Sequence, residues 1–267
     1  MAQSIPPDVY DRDYFLSEIC EGFEEFQQNQ GVSYNKAKQV RQLGPRPGLH
    51  ILDAGCGRGE TILACARAGA KVAGVDYSEA AVQLTREALA EYPDSDLRQG
   101  DVTALPWDDD TFDRVQFSDV IEHLDPAQTV PALAEFRRVL APGGFLLVHT
   151  APNLYFMRYG WPASRPLVRL AGHREIADKV DRWFQIAEDY HVNEQSVHSL
   201  RGALRQAGFD QPRVWLDPDV LRGGKFHLLE GLEGPAVRAA RKVAAWRPVR
   251  LFMSNDLYGL ARKAGRS

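Results

Sequence analysis

Ile51-Leu-Asp-Ala-Gly-Cys-Gly-Arg-Gly-Glu60 joins a short apolar run to a glycine-rich turn and then to a helical pattern. His50 to Asp53 reads as a buried strand, and Gly55, Cys56, Gly57, Arg58 and Gly59 form the loop that leaves it. Glycine at 55, 57 and 59 lets the backbone bend sharply and lets a ligand approach with no Cβ in the way. Glu60 to Ala68 reads as a helix stopped by Gly69. Its leading N–H groups favour a negative group such as a carboxylate or phosphate.

The alternation continues downstream. Lys71 to Asp76 reads as a second strand, and Ser78 caps a helix running to about Glu91. Leu97 to Asp101 and Phe112 to Ser118 are the next strands, the latter ahead of a helix ending near Leu140. Ala141-Pro-Gly-Gly144 predicts a turn before a fifth strand, Phe145 to Thr150. Repeated strand–helix alternation implies a parallel sheet covered on both faces, a doubly wound α/β core. Upstream, residues 11–43 read as helical in two pieces, with Phe15, Ile19, Phe23 and Phe26 on one face, ahead of the break Gly44-Pro-Arg-Pro-Gly48.

The C-terminal third is less regular. Residues 152–190 are rich in aromatics, arginine and proline and read as a cap inserted between strand and helix. Ser196 caps a helix with Val197, Leu200, Leu204 and Ala207 on its inner face and Gly208 at its end. Val214-Trp-Leu216 and Leu257-Tyr-Gly-Leu260 read as two last strands around an insertion, residues 217–254.

The chain has 267 residues, 44% hydrophobic, enough to bury a full core. A formal net charge of -4 argues against a general nucleic-acid binder. Cys20, Cys56 and Cys65 show no CxxC spacing, so reduced thiols and a cytoplasmic location are expected, without disulfide or zinc framework. The opening residues lack the regions of a signal peptide, and no apolar run is long enough to span a bilayer. A basic amphipathic helix between Pro235 and Pro248, with Arg238, Arg241 and Lys242 on one side, could lie on an anionic membrane surface, but a solvated face is the expectation. Monomer and homodimer are both open.

In an open α/β sheet, ligands sit beyond the carboxyl ends of the strands, where strand order reverses. Dehydrogenases solve this problem with GxGxxG, whereas this loop reads GxGxG. Asp53, directly before the loop, would repel a pyrophosphate and favour a ligand carrying a cationic amine. Asp76 closes the second strand, where a carboxylate can accept both ribose hydroxyls. Asp101 closes the third, where it can accept from an adenine amine. The ligand implied has an amino acid end, a ribose and an adenine.

ILDAGCGRGE, VAGVDYS, QGDVTALPWDDDTFD, SDVIEHL and RVLAPGGFLLV, in this order, resemble the motifs of class I S-adenosylmethionine-dependent methyltransferases. The resemblance is close over residues 48–151 and looser over Ser196 to Phe209 and the last strand. It implies a mostly parallel seven-stranded sheet with an antiparallel last strand and helices on both faces. An N-terminal helical lid, residues 1–47, would precede a Rossmann-like domain, residues 48–267. By this resemblance Asp53, Gly55 and Gly57 lie beside the methionine end of S-adenosylmethionine, with Gly59 in the same cofactor-binding loop and Cys56 at a variable position there that contributes backbone only. Asp76 takes the ribose, Tyr77 packs on the adenine face, and Asp101 with Val102 takes the adenine edge. Ser118, Asp119 and His123 lie beside the sulfonium.

Methyl transfer is an in-line displacement whose rate comes largely from alignment, with a base needed for some oxygen or nitrogen nucleophiles. His123 and His191 are the candidate bases, each with a packing role as the competing reading, and His149 is a third candidate. Tyr14, Asn153, Tyr155, Arg158, His191, Asn193 and Glu194 are candidate acceptor-binding residues. Tyr10, Tyr14 and Phe15 could close as a lid or simply pack on the core. No metal cluster is expected. The expected acceptor is a small molecule, an oxygen of a sugar, glycolipid or natural-product intermediate, with N-methylation of an amine as the alternative. A nicotinamide-dependent oxidoreductase and a non-catalytic binding module are the readings from other classes.

Overall fold

The structure, a computed structural model, describes residues 6–17, 19, 20, 22, 23, 27, 32–217, 242, 243 and 246–265. Among them, seven strands form one sheet: β1 His50–Ala54, β2 Lys71–Asp76, β3 Asp96–Gln99, β4 Phe112–Ser118, β5 Leu140–Thr150, β6 Asp210–Leu216 and β7 Leu257–Arg262. Their order is β3-β2-β1-β4-β5-β7-β6. Pairing is parallel from β3 through β5, and β7 runs antiparallel to both β5 and β6. The doubly wound α/β expectation is met, including the pairing of Val214, Trp215 and Leu216 with Gly259, Tyr258 and Leu257.

The strand period sorts side chains between two cores. Leu52, Ala73, Val75, Val115 and Phe117 pack on one face, with Leu133 and Phe136 of helix Pro126–Val139 and Leu200 and Leu204 of helix Val197–Gln206. Ile51, Val72 and Leu147 pack on the other, with Leu43 of helix Tyr34–Leu43 and Ile62 and Cys65 of helix Glu60–Arg67. A fully buried side chain of this kind contributes about 1.5–3 kcal/mol. The sheet is therefore a rigid platform, and loops at its carboxyl ends inherit that rigidity.

Several boundaries differ from the sequence expectation. The turn expected at Ala141–Gly144 is a bulge inside β5: pairing jumps from Phe112↔Leu140 to Arg114↔Phe145, and Gly143 and Gly144 exchange backbone hydrogen bonds with Lys263. Strand β3 ends at Gln99, because Asp101 Oδ1 turns to accept from the Thr103 N–H and hydroxyl. The helix after Ser78 spans Glu79–Ala88 and stops short of Glu91 at a turn closed by Tyr92 N–H on the Leu89 carbonyl. The first N-terminal helix spans only Arg12–Phe15, and Phe15 is buried with Ala81 and Leu84. The stripe that also drew on Phe26 ends on a residue outside those described.

The cap contains a π turn, Phe156–Gly160, and helices Trp161–Leu170 and Arg174–Tyr190, with a small core of Phe156, Trp161, Ala177 and Val180. A Cβ on Gly160 would stand 1.6 Å from the Phe252 carbonyl oxygen, so only glycine lets helix Arg247–Met253 dock there. Most of the expected basic helix, including Arg238 and Arg241, lies outside the described residues. Among the described residues no helix is long and apolar enough to cross a membrane.

Candidate functional site

Strand order reverses between β1 and β4, and a cavity of about 330 Å³ opens beyond their carboxyl ends. Ligand sites range from about 300 to 1,000 Å³, and this cavity lies at the lower end of that range. Its wall is built from the ends of β1, β2 and β4, the segment after β3, an N-terminal roof and the cap helix Arg174–Tyr190.

The glycine loop shapes one side. Gly55 lines the cavity at φ +81°, and a Cβ there would lie 2.2 Å from Val120 Cγ2, so only glycine leaves room for the Val120 side chain against the loop. Gly59, at φ +79°, caps helix Glu60–Arg67 against the Thr85 backbone. Next to the loop stands Asp76, buried at 6% exposure. Its oxygens accept from the Gly57 and Ser78 N–H groups at 3.1 and 3.0 Å. Burial pushes its carboxyl up to about 6, although those amides pull the other way. Tyr77, Asp101 and Val102 continue the wall. Asp53 stands behind it, buried and outside the cavity lining, with its carboxyl raised to about 7 by burial while Lys36 opposes the rise. Lys36 does line the cavity. Burial works against its ammonium, but Glu60, at 3.5 Å, and Asp119 outweigh that and raise it to about 12.

At the end of β4, Ser118 and Asp119 line the cavity, with Asp119 in the left-handed region at φ +57°. Asp119 accepts from the Ser118 hydroxyl and from His149 Nδ1, each at 2.8 Å, and His149 Nε2 reaches Asp256 at 3.1 Å. Burial opposes charge on the ring, yet the two carboxylates hold the His149 imidazolium well above the usual histidine range. Burial would raise the Asp119 carboxyl, but the His149 imidazolium and its hydrogen bond hold it well below the usual carboxylate range. His149 is buried at 1% exposure with both nitrogens occupied, so it cannot serve as the base considered for it.

Beyond Asp119, Glu122, His123 and His191 meet on the cavity wall. One ligand atom from each lies within 4.8 Å of the others. Glu122 is buried at 1% exposure, accepts from the Thr150 hydroxyl at 2.8 Å, and has its carboxyl raised by burial and by Asp119. His123 Nδ1 lies 2.9 Å from the Tyr190 carbonyl, which can only accept, so Nδ1 carries a hydrogen. The Tyr10 hydroxyl also reaches Nδ1, at 2.9 Å. His191 stands edge-on to His123 with ring centroids 4.7 Å apart.

The roof is aromatic. Tyr10 and Phe15 are buried, Tyr14 packs 5.6 Å from Tyr190, and the Ser78 hydroxyl donates to the Tyr10 carbonyl. Arg58, itself buried, donates to the Phe15 carbonyl.

The expected acceptor residues of the cap fall elsewhere. Asn153 spends its amide on the carbonyls of Leu251 and Ser254, which ties the cap to helix Arg247–Met253. Tyr155 packs on Phe252, and Arg158 is exposed. Asn193 donates to the Ile121 carbonyl and the Thr129 hydroxyl, a structural tie. Glu194, half-buried, also lies outside the cavity lining. Cys56, Gly57 and Gly59 shape the loop without lining the cavity. Sequence reasoning missed Lys36 and Glu122. A carboxylate set in an apolar turn beside His123 was the available signal for Glu122, and nothing local marked Lys36.

A family model described as a methyltransferase domain matches residues 51–144. A demethylmenaquinone methyltransferase of Symbiobacterium thermophilum is 33% identical over 184 residues, 61% of this chain and 72% of that protein. A 37.1 kDa protein in transposon TN4556 of Streptomyces fradiae is 35% identical over 151 residues, 55% of this chain and 42% of that protein, so the chain spans less than half of its length. Among solved structures, Haemonchus contortus phosphoethanolamine N-methyltransferase 2 in complex with S-adenosyl-L-methionine matches with a TM-score of 0.60 at 17% identity, over 95% of this chain and 60% of that one. At that identity the likeness speaks for the fold.

Proposed function

From the premise that this chain belongs to the class I S-adenosylmethionine-dependent methyltransferases, we propose that it methylates an oxygen of a small acceptor, of the sugar, glycolipid or natural-product kind. The observation that carries this reading is one cavity with two chemically different ends. Asp76 and Asp101 stand at one, and Glu122, His123 and His191 at the other.

The first end fits the donor. Asp76 is a buried acceptor on the cavity wall, already oriented by two backbone amides, and ribose hydroxyls would supply the donors that favour its ionised form. Tyr77 offers a ring face and Asp101 an acceptor for the adenine. Lys36 is the cation for the amino acid carboxylate, and Gly55 leaves room for its backbone approach. When bound, the donor supplies an electrophilic methyl on a sulfonium.

The second end suits a polar nucleophile. His123 and His191 are the groups able to accept its proton near neutral pH. The aromatic roof of Tyr10, Tyr14 and Phe15 acts as a lid that excludes water and opens for the acceptor. Incubation with isotopically labelled donor and a panel of hydroxylated and aminated acceptors tests this. Label in an ether methyl supports the reading, and label on nitrogen or carbon replaces it.

A further inference from the structure

We propose that Glu122, His123 and His191 form a binding site for one divalent transition-metal cation, which presents an acceptor carrying two adjacent oxygens. This rests on the oxygen-acceptor reading and deepens it, because the imidazoles then act by holding the ion rather than by taking the proton.

Two imidazoles and one carboxylate are a donor set suited to zinc, iron(II), cobalt(II) or manganese(II), with coordination positions left for substrate. The three ligand atoms lie within 4.8 Å of one another. Around an ion with bonds of about 2.1 Å they close to about 3–4 Å, a change that small side-chain rotations supply.

The surrounding hydrogen bonds are those a metal site needs. A ligating histidine ordinarily donates its other nitrogen to a carbonyl or carboxylate, which fixes the ring and its tautomer. His123 Nδ1 has the Tyr190 carbonyl at 2.9 Å, a bond that fixes the ring. The Thr150 hydroxyl, 2.8 Å from Glu122 Oε2, orients the carboxylate. The two ligand segments are also clamped by backbone: the Glu122 carbonyl accepts from the N–H groups of Val192 and Asn193 at 2.9 and 3.1 Å. His191, distant in sequence, is thereby held beside Glu122.

The chemistry follows. A hydroxyl bound to the ion loses its proton to bulk water more readily, since a divalent cation stabilises the oxyanion. The oxyanion's electron pair forms the new C–O bond as the C–S bond breaks, and the departing pair stays on sulfur as a neutral thioether. A neighbouring oxygen on the same ion fixes which hydroxyl faces the methyl group. Vicinal diols, catechols and α-hydroxy carbonyls are the acceptors that fit.

The test uses full-length protein stripped with a chelator and titrated with cobalt(II), read by visible absorption, with S-adenosylhomocysteine binding measured alongside by calorimetry. One equivalent of cobalt(II) is expected to bind and to develop d–d bands. Glu122→Gln and His191→Ala are each expected to weaken binding about 100-fold, the upper end of losses seen on disturbing metal sites. S-adenosylhomocysteine affinity is expected to change less than threefold. If Glu122→Gln fails to fold, His191→Ala on the cavity wall decides. Absence of stoichiometric cobalt(II), or binding equally tight in both variants, overturns the site while donor binding leaves the methyltransferase reading intact. Loss of donor binding by the wild-type protein would instead remove the reading beneath it.

Discussion

The two ends of the cavity are built in opposite ways. At the end proposed for the donor, Gly55, Asp76, Tyr77, Asp101 and Val102 lie at or within three residues of the carboxyl ends of β1, β2 and β3, so strand order brings them together. At the end proposed for the acceptor, Glu122 and His123 come from a single turn after β4, His191 from the close of the cap, and Tyr10 and Tyr14 from the N-terminal roof. The lesson is that a site set by topology sits on a rigid frame, whereas one set by long-range contacts depends on a few hydrogen bonds between segments. Among those contacts are Tyr10 to His123 and the Glu122 carbonyl to Val192.

This contrast can be broken by experiment. The largest effect is expected from Asp76→Ala. Removing hydrogen bonds to a charged group, each worth about 1.5–3 kcal/mol, should weaken S-adenosylhomocysteine binding at least about 100-fold by calorimetry. His191→Ala should do the reverse, lowering turnover about 100-fold while leaving that affinity within threefold. If both variants lose donor affinity equally, the cavity does not have two separable ends.

Acidity sharpens the same distinction. The Asp76 carboxyl, raised to about 6 by burial, accepts from ribose most strongly when ionised. Donor affinity should therefore be full above pH 7 and fall as the pH drops through 6, by up to about tenfold per unit. Asp76→Asn should flatten that profile in calorimetric titrations across this range. Gly55→Ala tests the frame itself: the new Cβ collides with Val120 at a positive φ, and strain of about 1–3 kcal/mol should lower the melting temperature. The smallest effect belongs to Arg158→Ala, which should leave turnover within twofold because its side chain points to solvent. A large loss there would return the cap segment Asn153–Arg158 to the acceptor site.

The donor end was legible in sequence for the reason that makes it rigid. Strand period, the glycine loop and terminal carboxylates are local signals, and they located Asp76 and Asp101 on the cavity wall. Asp53 shares their pattern but faces the packed layer behind the loop. Local reading failed where distance along the chain decides placement. Asn153 looked like an acceptor ligand by composition, yet its amide closes on the carbonyls of Leu251 and Ser254, about a hundred residues on. Lys36 sits on an ordinary helix face, and only the docking of helix Tyr34–Leu43 on the sheet brings it to the cavity. The bulge in β5 was hidden because Ala141-Pro-Gly-Gly144 has turn composition, while its hydrogen bonds to Lys263 belong to the far end of the chain.

A crystal structure with S-adenosylhomocysteine bound tests the central claim most directly. The account predicts the ribose hydroxyls on Asp76 and the sulfur directed toward Glu122, His123 and His191. A sulfur turned toward the Asn153–Arg158 side, or a ribose held away from Asp76, would contradict it.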